Sequence, residues 1–134
     1  MLQKARFLPA VLMMSIIFLL SHQPGDELEL PFFIPHLDKI GHFIVYGLLA
    51  FACLHGLRPF RHAKIPLVWL NLGVVGFCCL YGISDEFHQT FIDGRTASVL
   101  DLLADTVGAT AAVTSASLWW RKKTTKQGDM NAYL

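Results

Sequence analysis

Four long apolar segments, separated by short polar connections, make up most of this sequence. They cover about residues 7–21, 40–57, 65–84 and 99–120. A helix rises 1.5 Å per residue, so about 20 residues cross the ~30 Å hydrocarbon core of a bilayer. The last three segments are long enough to cross, and the first is slightly short. The pattern predicts an all-α integral membrane protein, a bundle of four transmembrane helices.

The composition agrees with a membrane location. Of the 134 residues, 54% are hydrophobic and 16% are charged, whereas soluble proteins have about 25% charged residues. The three cysteines all lie in apolar segments and lack metal-type spacing. Nucleophile motifs, phosphate-binding glycine loops and nucleic-acid signatures are absent. We expect one transmembrane domain over residues 1–134, embedded in the lipid bilayer, with no cofactor and no nucleic-acid partner.

The first apolar segment also resembles a signal peptide, because Lys4 and Arg6 precede a short apolar core. Signal-peptide cleavage needs small residues just before the cut. The residues 19–22, Leu-Leu-Ser-His, supply them poorly. We therefore expect an uncleaved first helix.

Basic residues fall almost entirely on one side of a four-span topology. Nine of the 11 share that side: Lys4, Arg6, Arg58, Arg61, Lys64, Arg121, Lys122, Lys123 and Lys126. Only Lys39 and Arg95 fall on the other side. Because basic loops stay in the cytoplasm, we predict a multi-pass protein of the cell membrane with both termini cytoplasmic. The loops 22–37 and 89–98 would then be outside, and the polar tail 121–134 would be cytoplasmic and mobile.

Polar side chains concentrate at the predicted outer ends of three helices. They are Asp38, Lys39, His42 and Tyr46 at the start of the second helix, Tyr81, Asp85, Glu86, His88 and Gln89 at the end of the third, and Asp101 and Asp105 at the start of the fourth. A charge at a helix centre costs about 2.5–3.5 kcal/mol, so charges that persist usually face the bundle interior. Asp85 and Gln89 share a helical face, and Glu86 points about 100° away from it. We predict a polar site at the outer face, with Arg95 on the adjoining loop and Glu86 bonded to headgroups or Arg95.

Simpler roles exist for some of these residues. Asp38 could serve as a first-turn acid, and Ser98 with Asp101 fits a capping box. Lys39 could extend toward the membrane interface. Capping does not explain Asp105, which lies one turn deeper, or His42.

A metal site is conceivable from Asp38, His42, Asp85, His88, Asp101 and Asp105. No compact signature such as H-E-x-x-H is present, so the sequence predicts no metal.

Small residues recur every fourth position in the fourth segment: Ala104, Gly108, Ala112 and Ala116. Such a stripe lets another helix backbone approach closely. We expect it to pack against a helix of the same chain and to hold Asp105 against its neighbours.

The ordered polar residues resemble the VanZ-like membrane proteins over about residues 37–112. The resemblance rests on Asp38-Lys39-xx-His42-xxx-Tyr46, Ser84-Asp85-Glu86-xx-Gln89, Gly94-Arg95 and Asp101-xxx-Asp105-xx-Gly108. One position departs, because the family pattern often has Asn where this chain has Asp105. That additional charge would need a partner, such as Lys39 or Arg95. The resemblance implies a role in the cell envelope, since the founding member is associated with tolerance to the glycopeptide teicoplanin.

Two functions fit these observations. In the first, the protein binds or modulates an envelope component at the outer face: a lipid-linked cell-wall precursor, a lipid headgroup or a glycopeptide. The binding residues would be Asp38, Lys39, His42, Tyr46, Glu86, Gln89 and Arg95.

In the second function, the protein is a membrane-embedded enzyme acting on a lipid-linked or anionic envelope substrate. Asp85, Asp101, Asp105 and His42 would then supply acid–base chemistry, while Lys39, His42 and Arg95 hold an anionic group. A small transporter is a third possibility, but it would need an oligomer to form a path. The sequence favours binding because it contains no nucleophile or metal signature.

Overall fold

The computed structural model describes residues 4–25, 37–59 and 66–132, with the backbone alone for Lys4 and residues 123–132. A short 3₁₀ helix, Lys4–Phe7, leads into α1, Leu8–Ser21. Three longer helices follow: α2 is Leu37–Gly56, α3 is Leu67–Gln89 and α4 is Val99–Ala132. No strand occurs in these described ranges. The predicted all-α, four-helix membrane bundle is confirmed.

Three of the described helices are long and apolar enough to cross a membrane: α2, α3 and the Val99–Lys122 part of α4. The apolar run Ala5–Ser21 is shorter, and its 17 residues extend about 25 Å as a helix. Large apolar side chains are exposed on all four helices, among them Leu12, Leu48, Leu80 and Leu103. Such a continuous apolar exterior is unfavourable in water and is the surface that lipid would contact.

The most extensive helix pairing is between α2 and α4, and small residues make it possible. A Cβ atom on Gly108 would overlap the backbone carbonyl of Phe43 in α2. A Cβ on Gly47 would lie 3.4 Å from the carbonyl oxygen of Gly108. Ala112 and Ala116 are buried along the same stripe of α4. The prediction that this stripe packs within the chain is confirmed.

The helix boundaries differ from the predicted segments at the polar end. α2 begins at Leu37 and α3 continues to Gln89, so both helices extend beyond the apolar segments and include the polar residues, as predicted. The apolar span of α4, Val99–Lys122, agrees with the predicted segment 99–120, and the helix itself continues to Ala132. Residues 121–132 contain no proline, and their lysine, glutamine and alanine residues favour helix. Most of the predicted loop 22–37 lies outside the described residues, as do residues 60–65.

The connection between α3 and α4 is a tight loop. Gly94 has a φ of 73°, which glycine adopts at little cost. The backbone N–H of Gly25, just after α1, donates to the carbonyl of Asp93 over 3.1 Å. The end of α1, the end of α3 and the start of α4 therefore meet, and we call this the polar end of the bundle.

Candidate functional site

Lys39 links α2 to α4 at the polar end. Its Nζ lies 2.8 Å from Oδ2 of Asp38 and 2.8 Å from Oδ1 of Asp101. The backbone N–H of Asp101 also donates to Oγ of Ser98 over 3.3 Å, which is the expected helix cap. Asp101 thus serves the cap through its backbone and pairs with Lys39 through its carboxylate.

His42 and Asp105 form a second link between the same helices, one turn deeper. Nδ1 of His42 lies 2.9 Å from Oδ1 of Asp105, whose side chain is fully buried. The partner of Asp105 is therefore His42 rather than Lys39 or Arg95. Gly82 of α3 makes room for this carboxylate, because a Cβ there would lie 2.8 Å from Oδ2 of Asp105.

Glu86 lies inside the bundle, and the prediction that it bonds to headgroups or Arg95 was wrong. Its side chain is buried, and its Oε2 accepts a 2.6 Å hydrogen bond from the backbone N–H of Ser98. In a capping box that donor would bond to an acidic or amide side chain three residues into the same helix. Here α3 supplies the acceptor, because α3 packs against α4 as well as α1 and has two buried faces.

On its other buried face, α3 contacts the end of α1. Oγ of Ser21 donates to Oδ2 of Asp85 over 2.9 Å, and Nε2 of Gln89 lies 3.4 Å from Oγ of Ser21. Asp85 and Gln89 share a face, as predicted. Ser21 was not predicted as a site residue, although a serine ending an apolar helix is a visible signal.

Arg95 holds the α3–α4 loop against α1. Its guanidinium donates to the backbone carbonyls of Leu20 and Gln23, each over 3.2 Å. These carbonyls belong to the last turn of α1 and the residues after it, where basic side chains are favourable. Arg95 pairs with no acid among the described residues, so Lys39 alone fulfils the expectation of a cation beside an acid.

A cavity of about 230 Å³ opens between α1, α2 and α3 at the polar end. Its polar wall consists of Ser21, Asp38, His42, Tyr46, Asp85, Gln89 and Arg95. Four residues predicted for the site do not line it: Lys39, Glu86, Asp101 and Asp105. Lys39 and Asp101 are paired with each other, and Glu86 and Asp105 are buried beside His42. The structure thus gathers the predicted residues at one end but separates them into a cavity wall and a buried cluster.

Metal-compatible spacing occurs in the buried cluster. His42, Glu86 and Asp105 each place one possible ligand atom within 4.8 Å of the other two. Of the six ligands considered from sequence, only His42 and Asp105 belong to this group. His88 instead lies 3.2 Å from His22, ring nitrogen to ring nitrogen.

A sequence model described as VanZ/LLP1 matches residues 7–120. The chain belongs to the VanZ/LLP1 family. The matched range contains all the polar residues described above, and the predicted VanZ-like resemblance is confirmed. This VanZ/LLP1 chain is also similar to an uncharacterized protein of Schizosaccharomyces pombe, with 28% identity over 111 residues. That alignment covers 83% of this chain and 64% of the relative, so the chain spans less than two thirds of its length. No solved structure matches the chain.

At the VanZ/LLP1 site, acidic residues outnumber lysine and arginine among the described residues. Six of the acids that the structure describes lie at the polar end: Asp38, Asp85, Glu86, Asp93, Asp101 and Asp105. The lysine and arginine described there, Lys39 and Arg95, are already engaged with carboxylates and backbone carbonyls respectively. The expected use of Lys39 and Arg95 to hold an anionic group therefore competes with contacts already made. Chemically, the cavity offers mainly hydrogen-bond acceptors, together with His42, Gln89 and the hydroxyl of Tyr46.

Proposed function

We propose that the polar end faces the outside of the cell membrane and that its cavity binds a headgroup-sized component of the cell envelope without catalysing a reaction. The observation that carries this proposal is a polar wall around an open cavity with an unsatisfied donor in it. The hydroxyl of Tyr46 is buried and has no hydrogen-bond partner among the described residues, yet Tyr46 lines the cavity. Buried polar groups normally have partners, and a bound ligand would supply one.

The wall favours a ligand that both donates and accepts hydrogen bonds. Asp38 and Asp85 supply carboxylates as acceptors, while Tyr46 and Gln89 can donate. Sugar hydroxyls and hydroxylated or amine-bearing headgroups have this mixed character. A bare phosphate fits less well, because Lys39 does not line the cavity and Arg95 is bonded to α1.

The size of the cavity narrows the ligand further. About 230 Å³ is below the ~300–1,000 Å³ typical of sites for drug-sized ligands. A lipid headgroup or one sugar of a lipid-linked precursor fits this volume, whereas a whole glycopeptide does not. Any effect on glycopeptide tolerance would therefore come from altering the envelope component that the glycopeptide meets.

The test is Asp85→Asn in a teicoplanin-sensitive host that expresses the chain. Asparagine keeps the shape and still accepts the hydrogen bond from Ser21, but the cavity loses a charged acceptor. A hydrogen bond to a charged group contributes about 1.5–3 kcal/mol, so ligand binding should weaken about 10- to 100-fold. We expect teicoplanin tolerance to fall to the level of the host without the chain.

The matched control is Asp93→Asn, which removes an exposed acid from the α3–α4 loop at the same end. It should leave tolerance unchanged. The amount of each variant in the membrane must be measured beside the phenotype, because removing a member of a buried charged network can destabilise a protein by about 3–5 kcal/mol. Full tolerance with Asp85→Asn at normal protein levels would contradict a role for this cavity.

One observation favours the enzymatic alternative. His42 lines the cavity and is hydrogen-bonded to the buried Asp105 at 2.9 Å, an arrangement that orients a histidine for proton transfer. The two functions differ under His42→Gln, which keeps a polar side chain in the wall but cannot act as a base. An enzyme would lose its effect completely, whereas a binding protein would keep part of it.

A further inference from the structure

Two carboxylate oxygens inside the bundle have no hydrogen-bond partner among the residues described. Oε1 of Glu86 and Oδ2 of Asp105 are buried and make no hydrogen bond to any residue that the structure describes. The exposed fractions of the two residues are 7% and 0%. An unsatisfied buried carboxylate is strongly unfavourable, and neighbouring lipid cannot hydrate it. Two of them side by side need either a proton or a positive group to compensate their charge.

The two carboxylates and His42 surround a common point. A Cβ on Gly82 would lie 2.8 Å from Oδ2 of Asp105, so this oxygen faces α3, where Glu86 follows one turn later. One donor atom from each of the three residues lies within 4.8 Å of the other two. At metal–ligand distances of about 2.0–2.2 Å, the donors of one tetrahedral ion lie about 3.3–3.6 Å apart. Side-chain movements of up to about 1 Å would bring the three donors from within 4.8 Å of one another to this spacing.

We propose that His42, Glu86 and Asp105 bind one divalent metal ion. One imidazole nitrogen and two carboxylate oxygens form a mixed ligand set that suits Zn²⁺ and Mn²⁺. The two carboxylates would neutralise the double charge, so the cluster would be uncharged within the bundle. This assignment goes beyond ligand binding in the cavity, since Glu86 and Asp105 do not line it. His42 both lines the cavity and belongs to the cluster. The ion would therefore be reached from the cavity, on the side where His42 lies.

The experiment uses the full chain, purified in detergent and stripped of metal with a chelator. Isothermal titration with Zn²⁺ and with Mn²⁺ should show one ion bound per chain for at least one of the two metals. Glu86→Gln removes one anionic ligand while keeping an oxygen for the N–H of Ser98. Changing a residue that merely supports a ligand costs about 10- to 100-fold in metal affinity, so the loss in Glu86→Gln should be at least about tenfold. Asp93→Asn, which lacks an exposed acid at the same end, should bind like the unchanged chain.

Thermal unfolding of the same samples shows whether each variant is folded. Ions that bind only the folded state raise the melting temperature. At a metal concentration that just saturates the unchanged chain, the melting temperature should rise fully for the unchanged chain and for Asp93→Asn. It should rise clearly less for Glu86→Gln and for a second variant, Asp105→Asn. Asparagine at 105 still accepts a hydrogen bond from His42.

Three results would overturn the assignment. They are a folded chain that binds neither ion, full binding by folded Glu86→Gln and Asp105→Asn, and equal loss of binding in Asp93→Asn. The outcome is separate from the cavity proposal, because Asp85→Asn leaves the three ligands in place. Loss of tolerance in Asp85→Asn without metal binding would support the cavity and reject the metal site.

Discussion

Gly82 is the residue that lets Asp105 stay buried beside α3. A Cβ atom there would lie 2.8 Å from Oδ2 of Asp105 and 3.1 Å from Cδ1 of Leu102. Gly82→Ala should therefore displace the carboxylate and lengthen its hydrogen bond to His42. Overpacking of this kind costs about 1–3 kcal/mol, so we expect a lower melting temperature in detergent.

Gly76 provides the control for this substitution on the same helix. No described atom lies within 4 Å of a Cβ built at Gly76. Alanine there should be neutral or slightly stabilising, since glycine within a helix is less favourable than alanine by about 0.5–1 kcal/mol. Equal melting temperatures for the two variants would contradict the close fit at Gly82.

At the residue scale, the sequence indicated which side chains gather at the polar end but not all of their partners. Helical spacing correctly placed Asp85 and Gln89 on one face. It misassigned Glu86. Helical spacing gives the angle between two residues of one helix, but it does not show how many other helices pack around that helix. Ser21 was missed because the site was predicted from the polar stripes of the other three helices, and one serine at the end of an apolar segment forms no such stripe. The partner carbonyls of Arg95 are backbone groups, which no sequence pattern identifies.

At the element scale, the pairing of α2 with α4 depends on close backbone contact at Gly108. A Cβ at this position would overlap the backbone of Phe43, which cannot rotate away as a side chain would. Gly108→Ala should push the helices apart and cost at least the upper part of the ~1–3 kcal/mol range for overpacking. Denaturation of the purified chain in mixed micelles should show the loss of stability.

Gly73→Ala is the corresponding control, because no described atom lies within 4 Å of a Cβ at that position. Its unfolding should match that of the unchanged chain or occur at a slightly higher denaturant concentration. If Gly108→Ala unfolds like the control, the helices are not held at the distance described.

The elements themselves were largely predictable, because the period and length of apolar runs determine membrane helices. The α4 stripe of small residues correctly indicated a close intramolecular contact, although it could not show that the partner was α2. Helix ends were less predictable. Residues 121–132 are polar, and polarity alone does not end a helix whose residues favour helical backbone.

At the scale of the whole molecule, the distribution of basic residues predicts which end is cytoplasmic. We expect a cysteine at Asp93 to react with a membrane-impermeant thiol reagent added to intact cells. A cysteine at Gln127 should react only after the membrane is opened, because basic flanking segments stay inside. The native residues Cys53, Cys78 and Cys79 should first be replaced by alanine or serine.

The control for this labelling is the cysteine-free chain, which should give no signal under either condition. Strong labelling at Gln127 in intact cells would reverse the orientation and would place the polar cavity on the cytoplasmic side. In that case the envelope ligand proposed here would have to be one available inside the cell.

Glu86 has a consequence that reaches beyond the buried cluster. One of its oxygens accepts the N–H of Ser98 at the start of α4, and the other lies inside the bundle. Any group that binds the inner oxygen would also change how firmly the outer one holds the α3–α4 loop. Thermodynamic coupling is reciprocal. If a ligand at the cluster changes the affinity of a partner for residues 90–98, that partner changes the affinity of the cluster for its ligand by the same factor. The protein could then be regulated through its surface loop by a molecule that never enters the cavity.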